Sequence, residues 1–185
     1  KKKSIRSRIF LKRKLNYFEI KKNFFVPLIK IIKKTGNVKK KCNIALYYPN
    51  SYELNIFKIF ENEYFYKFNF LLPIIEKNNS MNFYRWKKDD ILFLNKFGIP
   101  EPTKTKKIKP DIILVPLLAF DNMRNRLGYG KGFYDKYLNK YMKLKKRILT
   151  IGIAFYFQKY NSLPFNNKDY KLDYIITEKG ILWKF

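Results

Sequence analysis

Residues 1–18, KKKSIRSRIFLKRKLNYF, place Ile5, Ile9 and Leu15 near helical spacing with basic residues between them. That pattern predicts an amphipathic helix with one apolar stripe. A second helix is expected over 23–35, beginning near Pro27 and stopping at Gly36, because glycine readily takes the left-handed conformation that ends a helix. NIALYYP at 43–49 is a short apolar run closed by proline, which suits a buried strand. ELNIFKIFENEYF at 53–65 returns to helical spacing at Leu54, Phe57 and Phe60. FNFLLPII (68–75) and MNFYRW (81–86) then read as two strands joined by the polar turn EKNNS.

Residues 98–109 contain two prolines and no periodicity, so they are expected as an extended connector. PDIILVP (110–116) is the clearest strand, four aliphatic residues bounded by prolines. A glycine-rich stretch follows, then a helix over 133–147 and two more buried strands, LTIGIAF (149–155) and DYIITE (173–178). Strands alternating with helices predict an α/β protein, a single-domain three-layer sandwich over 1–185 with a largely parallel central sheet flanked by helices. No internal repeat or break in composition points to a second domain.

Composition changes the picture mainly by subtraction. The chain has no histidine, which removes Ser-His-Asp and Cys-His catalysis and every histidine metal site. Cys42 is the only cysteine, so an intramolecular disulfide is impossible, and one unpaired cysteine fits a reducing compartment such as the cytoplasm. No apolar run reaches the roughly 18 residues of a transmembrane helix, and the basic N-terminus lacks the apolar segment of a secretory signal. Chemistry must then come from carboxylates, Lys, Arg, Tyr, backbone amides or a hard metal ion held by oxygen.

The net charge of +27 is compatible with a polyanionic partner, because released counterions drive binding to nucleic acid. The competing reading is a solvated lysine-rich surface of an AT-biased sequence, since the basic runs at 1–3, 39–41, 104–107 and 143–146 are scattered. Most aromatics lie inside apolar strand and helix patterns and no nucleic-acid motif appears, so a specific nucleic-acid partner is not expected. A positive field still attracts phosphate-bearing small molecules.

The stretch RLGYGKGFYDKYL (126–138) carries the candidate chemistry. Strand, glycine-rich loop and helix in that order build phosphate sites at the carboxyl edge of α/β sheets. Glycine amides can approach an anion closely, the following helix N-terminus adds partial positive charge, and Arg126 and Lys131 can neutralise phosphate. The spacing is GxGxG, however, so neither the dinucleotide fingerprint nor the P-loop pattern is met. By pattern alone, a phosphate loop and a plain turn both stay open.

The wider run PDIILVPLLAFDNMRNRLGYGKGFYDKYL (110–138) resembles the signature of the 5-formyltetrahydrofolate cyclo-ligase family. The matching elements are Val115-Pro116, Ala119-Phe120-Asp121, Arg126-Leu127-Gly128, Gly130, Gly132 and Tyr134-Asp135. GIPEP at 98–102, IGIAFYFQ and LPFNNKDYKLDYIITE (163–178) are similar to other family blocks, and Lys2 and Arg6 have the family's K-x-x-x-R spacing. Leu117-Leu118 departs from a glycine that many members carry there.

The resemblance implies an ATP-dependent ligase that converts 5-formyltetrahydrofolate, with or without a polyglutamate tail, to 5,10-methenyltetrahydrofolate, with ATP and Mg2+ required. It implies that Lys2, Arg6 and the loop Arg126, Leu127, Gly128, Tyr129, Gly130, Lys131, Gly132, Phe133 and Tyr134 bind ATP. Arg126 and Lys131 are the candidate catalytic residues. Tyr48, Glu53 and residues 129–133 of the same loop are the candidate folate contacts, Glu53 because the pterin presents paired hydrogen-bond donors. Asp135 and Asp169 are the candidate magnesium ligands, with Asp173 an alternative to Asp169; Pro49, Phe83, Tyr84 and Trp86 are weaker candidates for lining the folate rings. A helix-terminal or turn role remains open for each of the acids. A cytoplasmic monomer is expected, and a basic nucleic-acid-binding module or another small-molecule ATP-using enzyme of the same class remain the alternatives.

Overall fold

The computed structural model describes residues 1–36, 42–144 and 147–182. The chain begins with α1 (Lys2–Asn16), a 3₁₀ turn (Lys22–Phe25) and α2 (Val26–Lys34), with Gly36 at positive φ beyond its end. Then come β1 (Asn43–Ala45), 3₁₀ segments at Ile56–Glu61 and Glu63–Lys67, β2 (Asn69–Ile75), β3 (Met81–Arg85), β4 (Leu92–Leu94) and β5 (Pro100–Pro102). The signature half contains β6 (Ile112–Pro116), β7 (Ala119–Asp121), β8 (Arg126–Leu127), α3 (Phe133–Lys143) and β9 (Leu149–Ile153). It closes with a 3₁₀ turn (Tyr156–Gln158), β10 (Lys159–Tyr160), β11 (Tyr174–Thr177) and β12 (Gly180–Ile181).

Seven strands form the main sheet in the order β12-β11-β9-β6-β1-β2-β3. The five inner strands run parallel, and only the two edge strands β3 and β12 are antiparallel to their neighbours. Both faces are covered, which is why β6 and β9 are buried at every position. Ile112 and Leu114 of β6 pack with Leu28, Ile31 and Ile32 of α2 on one face, while Ile113 and Val115 meet Tyr137 and Leu138 of α3 on the other. The expected sandwich with a largely parallel sheet is the one observed.

Helix α1 packs elsewhere. Its Ile5 and Ile9 join Leu118, Ala119, Leu127 and Leu163 in a separate cluster against the small sheet β10-β7-β8. The signature aspartate Asp121 is a strut of that small sheet, with Oδ1 accepting from the amides of Met123 and Asn125 and Oδ2 from Asn125 Nδ2 and the Leu163 amide. Buried Gln158 likewise ties the turn before it by donating to the carbonyls of Leu117 and Leu118 at 2.9 Å each.

Four local expectations need correction. The helix expected over 53–65 is two 3₁₀ segments, because the side chains of Asn55 and Asn62 accept from the amides of Phe57 and Tyr64 and compete with α-helical bonding. The connector 98–109 is partly ordered as β5, which pairs antiparallel with β4. Leu15, placed in the α1 stripe, is 73% exposed; the third buried position after Ile5 and Ile9 is Arg13, at 1%. The helix expected to reach 147 ends at Lys143, and residues 145–146, like the lysine run at 39–41, lie outside the described residues.

Candidate active site

In a parallel sheet, ligands bind beyond the carboxyl ends of the strands, where the chain leaves adjacent strands in opposite directions. Here β1 and β6 are neighbours; β1 continues outward to β2 and β6 continues the other way to β9. Beyond their ends opens a cavity of about 770 Å³, a size that suits a cofactor-sized ligand. Residues after β1 line one wall, residues 126–136 after β6 line the other, and the β4–β5 hairpin adds Phe97 and Glu101 at the margin.

The glycine loop is shaped by two close approaches. Gly130 has φ +100°, a conformation that side chains rarely adopt, and a methyl group there would lie 3.3 Å from the Arg6 guanidinium carbon. At Gly128 a methyl group would lie 2.8 Å from Arg126 NH1. Arg6 Nε donates to the Gly128 carbonyl at 2.8 Å, so α1 is buttoned to the loop. Gly132 and Phe133 lead into α3, whose N-terminus faces the cavity with Tyr134 and Asp135. Leu127 also borders the cavity, with its side chain buried in the α1 cluster. Exposed Lys131 has no acidic partner among the described residues and places Nζ 5.5 Å from the Phe97 ring centre.

The acids are held by cations. Arg126, nearly buried, donates to Asp135 Oδ1 at 2.8 Å, and the Tyr170 amide donates to the same oxygen at 3.1 Å. Lys2 Nζ donates to Asp169 Oδ2 at 2.6 Å, joined by the Asn166 amide. Asp135 Oδ2 and Asp169 Oδ1 accept nothing among the described residues. Two hard oxygens left open beside a phosphate-sized space fit a magnesium ion, which retains waters and takes one or two protein carboxylates. No group of three or more acids, cysteines or histidines gathers at one point among the described residues. Asp173 does not line the cavity, and its Oδ2 is taken up by the amide and hydroxyl of Thr150.

The other end of the cavity is organised around Glu53. Its Oε1 accepts from the Tyr129 hydroxyl at 2.5 Å and its Oε2 from the Asn50 amide at 2.9 Å. Burial raises the Glu53 carboxyl above its ordinary value, opposed by the Tyr129 hydrogen bond, the Arg13 charge and the Asn50 amide. Tyr48 lines the same wall. Phe83, Tyr84 and Trp86 do not: all three are buried in the core, as their strand positions require, and Pro49 lies outside the lining as well. Cys42 is buried too, and burial with nearby Asp111 pushes its thiol up to about 12, so it is no nucleophile at neutral pH.

The structure brings Lys2, Arg6, Tyr48, Glu53, residues 126–135 and Asp169 into the lining of one cavity. The sequence reading missed Arg13, which stands behind Tyr129, and the hairpin carrying Phe97. For Arg13 a signal existed: Ile5, Ile9 and Arg13 follow one another at helical spacing on a single face.

A parallel α/β sheet with cations, glycine amides and open carboxylates at its switch point defines an enzyme of the phosphate-binding α/β class. Comparison with known proteins narrows this. The family model for the 5-formyltetrahydrofolate cyclo-ligase family matches residues 1–178. A probable 5-formyltetrahydrofolate cyclo-ligase of Schizosaccharomyces pombe is 32% identical over 62% of this chain, an alignment spanning 63% of that protein. The 5-formyltetrahydrofolate cyclo-ligase of Haemophilus influenzae is 32% identical over 70% of this chain and 72% of that protein. The 5,10-methenyltetrahydrofolate synthetase structure of Aquifex aeolicus superposes with a TM-score of 0.76 at 31% identity, covering 97% of this chain and 91% of that one. The chain belongs to the 5-formyltetrahydrofolate cyclo-ligase family, and its sheet is the fold of those relatives.

Proposed function

We propose that this protein is an ATP-dependent ligase that converts 5-formyltetrahydrofolate to 5,10-methenyltetrahydrofolate, releasing ADP and phosphate. The observation that carries the reading is the single cavity lined by both Glu53 and the Arg126–Asp135 loop. The Glu53 carboxylate accepts the paired donors of the pterin, beside Tyr48. Lys2, Arg6, Lys131 and the amides around Gly128, Gly130 and Gly132 hold the ATP phosphates, with Phe133 and Tyr134 at the loop's end.

In the first step the formyl oxygen attacks the γ-phosphorus and the bond to the bridging oxygen breaks, so ADP leaves with the electron pair. N10 then attacks the activated formyl carbon, the carbon–oxygen bond breaks, phosphate departs, and the N10 proton passes to solvent. Neither step needs histidine or cysteine. Positioning and neutralisation of charge do the work in phosphoryl transfer, and here that falls to Lys131, with Arg126 fixing Asp135. Asp135 and Asp169 would hold the magnesium ion, which supplies neutralisation at the phosphates when bound. The reading takes the enzyme to act as a monomer in the cytoplasm, and the lone buried Cys42 supports a reducing compartment.

The test is the absorbance of the methenyl product formed from 5-formyltetrahydrofolate, ATP and magnesium. A signal that depends on all three is expected; its absence would overturn the reaction.

A further inference from the structure

The inward face of α1 contains an arginine where the pattern calls for a third aliphatic residue. Arg13 is 1% exposed and has no carboxylate within ion-pair distance among the described residues. NH1 donates to the Tyr129 hydroxyl at 2.7 Å, NH2 donates to the Ser51 carbonyl and at 3.5 Å to the Asn50 carbonyl, the guanidinium lies 5.7 Å from the Tyr129 ring centre, and Nε has no partner among the described residues. A buried guanidinium with no carboxylate partner among the described residues and one unbonded nitrogen is costly to the fold, so packing alone does not account for it.

The hydrogen-bond direction is set by chemistry. A guanidinium only donates, so Tyr129 Oη accepts from Arg13 and its own proton points to Glu53 Oε1. The three residues come from α1, the glycine loop and the segment after β1, and Arg13 itself does not line the cavity. Ser51 and Tyr52, next to Glu53, sit at positive φ, and the Arg13 bond to the Ser51 carbonyl holds that strained corner in place.

We propose that Arg13 is a positioning residue for substrate binding: through Tyr129 and the Ser51 carbonyl it holds Glu53 as an oriented acceptor for the folate. The inference rests on Glu53 being the folate-binding acid. The groups facing Glu53 are Arg13 from α1, Tyr129 from the loop, Tyr47 from its own segment and Tyr134 from α3. Arg13 is the only cation among them. Burial raises the Glu53 carboxyl and Arg13 lowers it, so removing Arg13 lets Glu53 protonate at higher pH, and folate binding weakens as pH falls.

The experiment compares Arg13→Met, Arg13→Lys, Tyr129→Phe and the Arg13→Met/Tyr129→Phe double variant in the full chain. In Arg13→Met the KM for 5-formyltetrahydrofolate is expected to rise about tenfold or more, by a larger factor at lower pH than at higher pH, with the ATP KM within about twofold. Arg13→Lys should recover part of the loss. The double variant should lose clearly less than the sum of the two single losses, because both changes cut the Tyr129 link and only Arg13→Met also frees the Ser51 carbonyl. Equal losses in kcat with both KM values and the pH profile unchanged, or fully additive effects, would overturn the proposal. If Arg13→Met does not fold, Tyr129→Phe, which leaves the arginine in place, carries the same prediction, and a normal folate KM in it overturns the idea. Equilibrium dialysis of 5-formyltetrahydrofolate without ATP reads the same ratios independently of turnover. A wild type that binds folate but forms no methenyl product would therefore overturn the proposed reaction and leave the positioning role standing.

Discussion

The two ends of the cavity are built in different ways. The proposed phosphate end is nearly contiguous in sequence: Arg126 to Asp135 supply the loop, the helix start and one acid, with Lys2, Arg6 and Asp169 arriving from elsewhere. Its ion pairs are partly open to solvent, and each carboxylate keeps one free oxygen. The acid end is assembled from three distant segments, and its chain Arg13–Tyr129–Glu53 spends its donors inside the protein. In the proposed function the first would exchange a mobile, highly charged ligand. The second is a preorganised acceptor whose charge is set by what lies behind it.

Tyr129 connects them, since its backbone belongs to the glycine loop while its hydroxyl holds Glu53. The comparison therefore predicts separable effects on the two substrates, joined through one residue. The largest effect should come from Asp135→Asn, which removes a candidate magnesium ligand and the partner of nearly buried Arg126. A fall in kcat of about 100-fold or more is expected, with a higher magnesium concentration for half-activity. Unchanged kinetics would take Asp135 out of the site.

Glu53→Ala should raise the folate KM by about tenfold to 100-fold, the range for a hydrogen bond to a charged group, while the ATP KM stays within about twofold. A fall in ATP affinity instead would break the separation of the two ends. Gly130→Ala should come next. It forces a side chain into φ +100° beside the Arg6 guanidinium, and strain of this kind should raise the ATP KM about tenfold. A smaller rise in the folate KM is expected through neighbouring Tyr129; a folate effect larger than the ATP effect would place Gly130 with the acid end.

Glu76, outside the cavity, gives the smallest effect and a control. The Tyr84 hydrogen bond, then Lys107 and Lys104, lower its carboxyl to about 2 from an ordinary 4.5. A depressed carboxyl stabilises the fold above its unfolded value, and that contribution disappears as pH falls from about 4.5 towards 2. Both lysines are well exposed, so Glu76→Gln should cost only about 1 kcal/mol near pH 7, and nothing near pH 2, in urea unfolding. Its kinetics should match the wild type.

Much of this was legible in the chain itself. The all-apolar run of β6, bounded by prolines, could only be a strand covered on both faces, and the alternation around it required a parallel sheet. The glycine loop was legible for the same reason: its cations, glycines and Asp135 are neighbours in sequence, so their proximity follows from local geometry. The interruption at Asn55 and Asn62 was harder to see, because helical spacing of apolar residues survives in a 3₁₀ segment while side-chain caps replace the α-helical bonds.

What the sequence determined by itself was the sheet, the place of the glycine loop between strand and helix, and the exclusion of histidine and disulfide chemistry, all consequences of residue type and short-range order. Only the tertiary structure decided that Arg13, and not Leu15, turns inward, that Asp169 and not Asp173 reaches the cavity, and that Tyr129 bonds Glu53 across 76 positions. These depend on how α1 docks against the small sheet and where the loops beyond β1 and β6 meet. Such contacts are fixed by packing between segments far apart in the chain, where the hydrophobic pattern of any one segment carries no information about its partner.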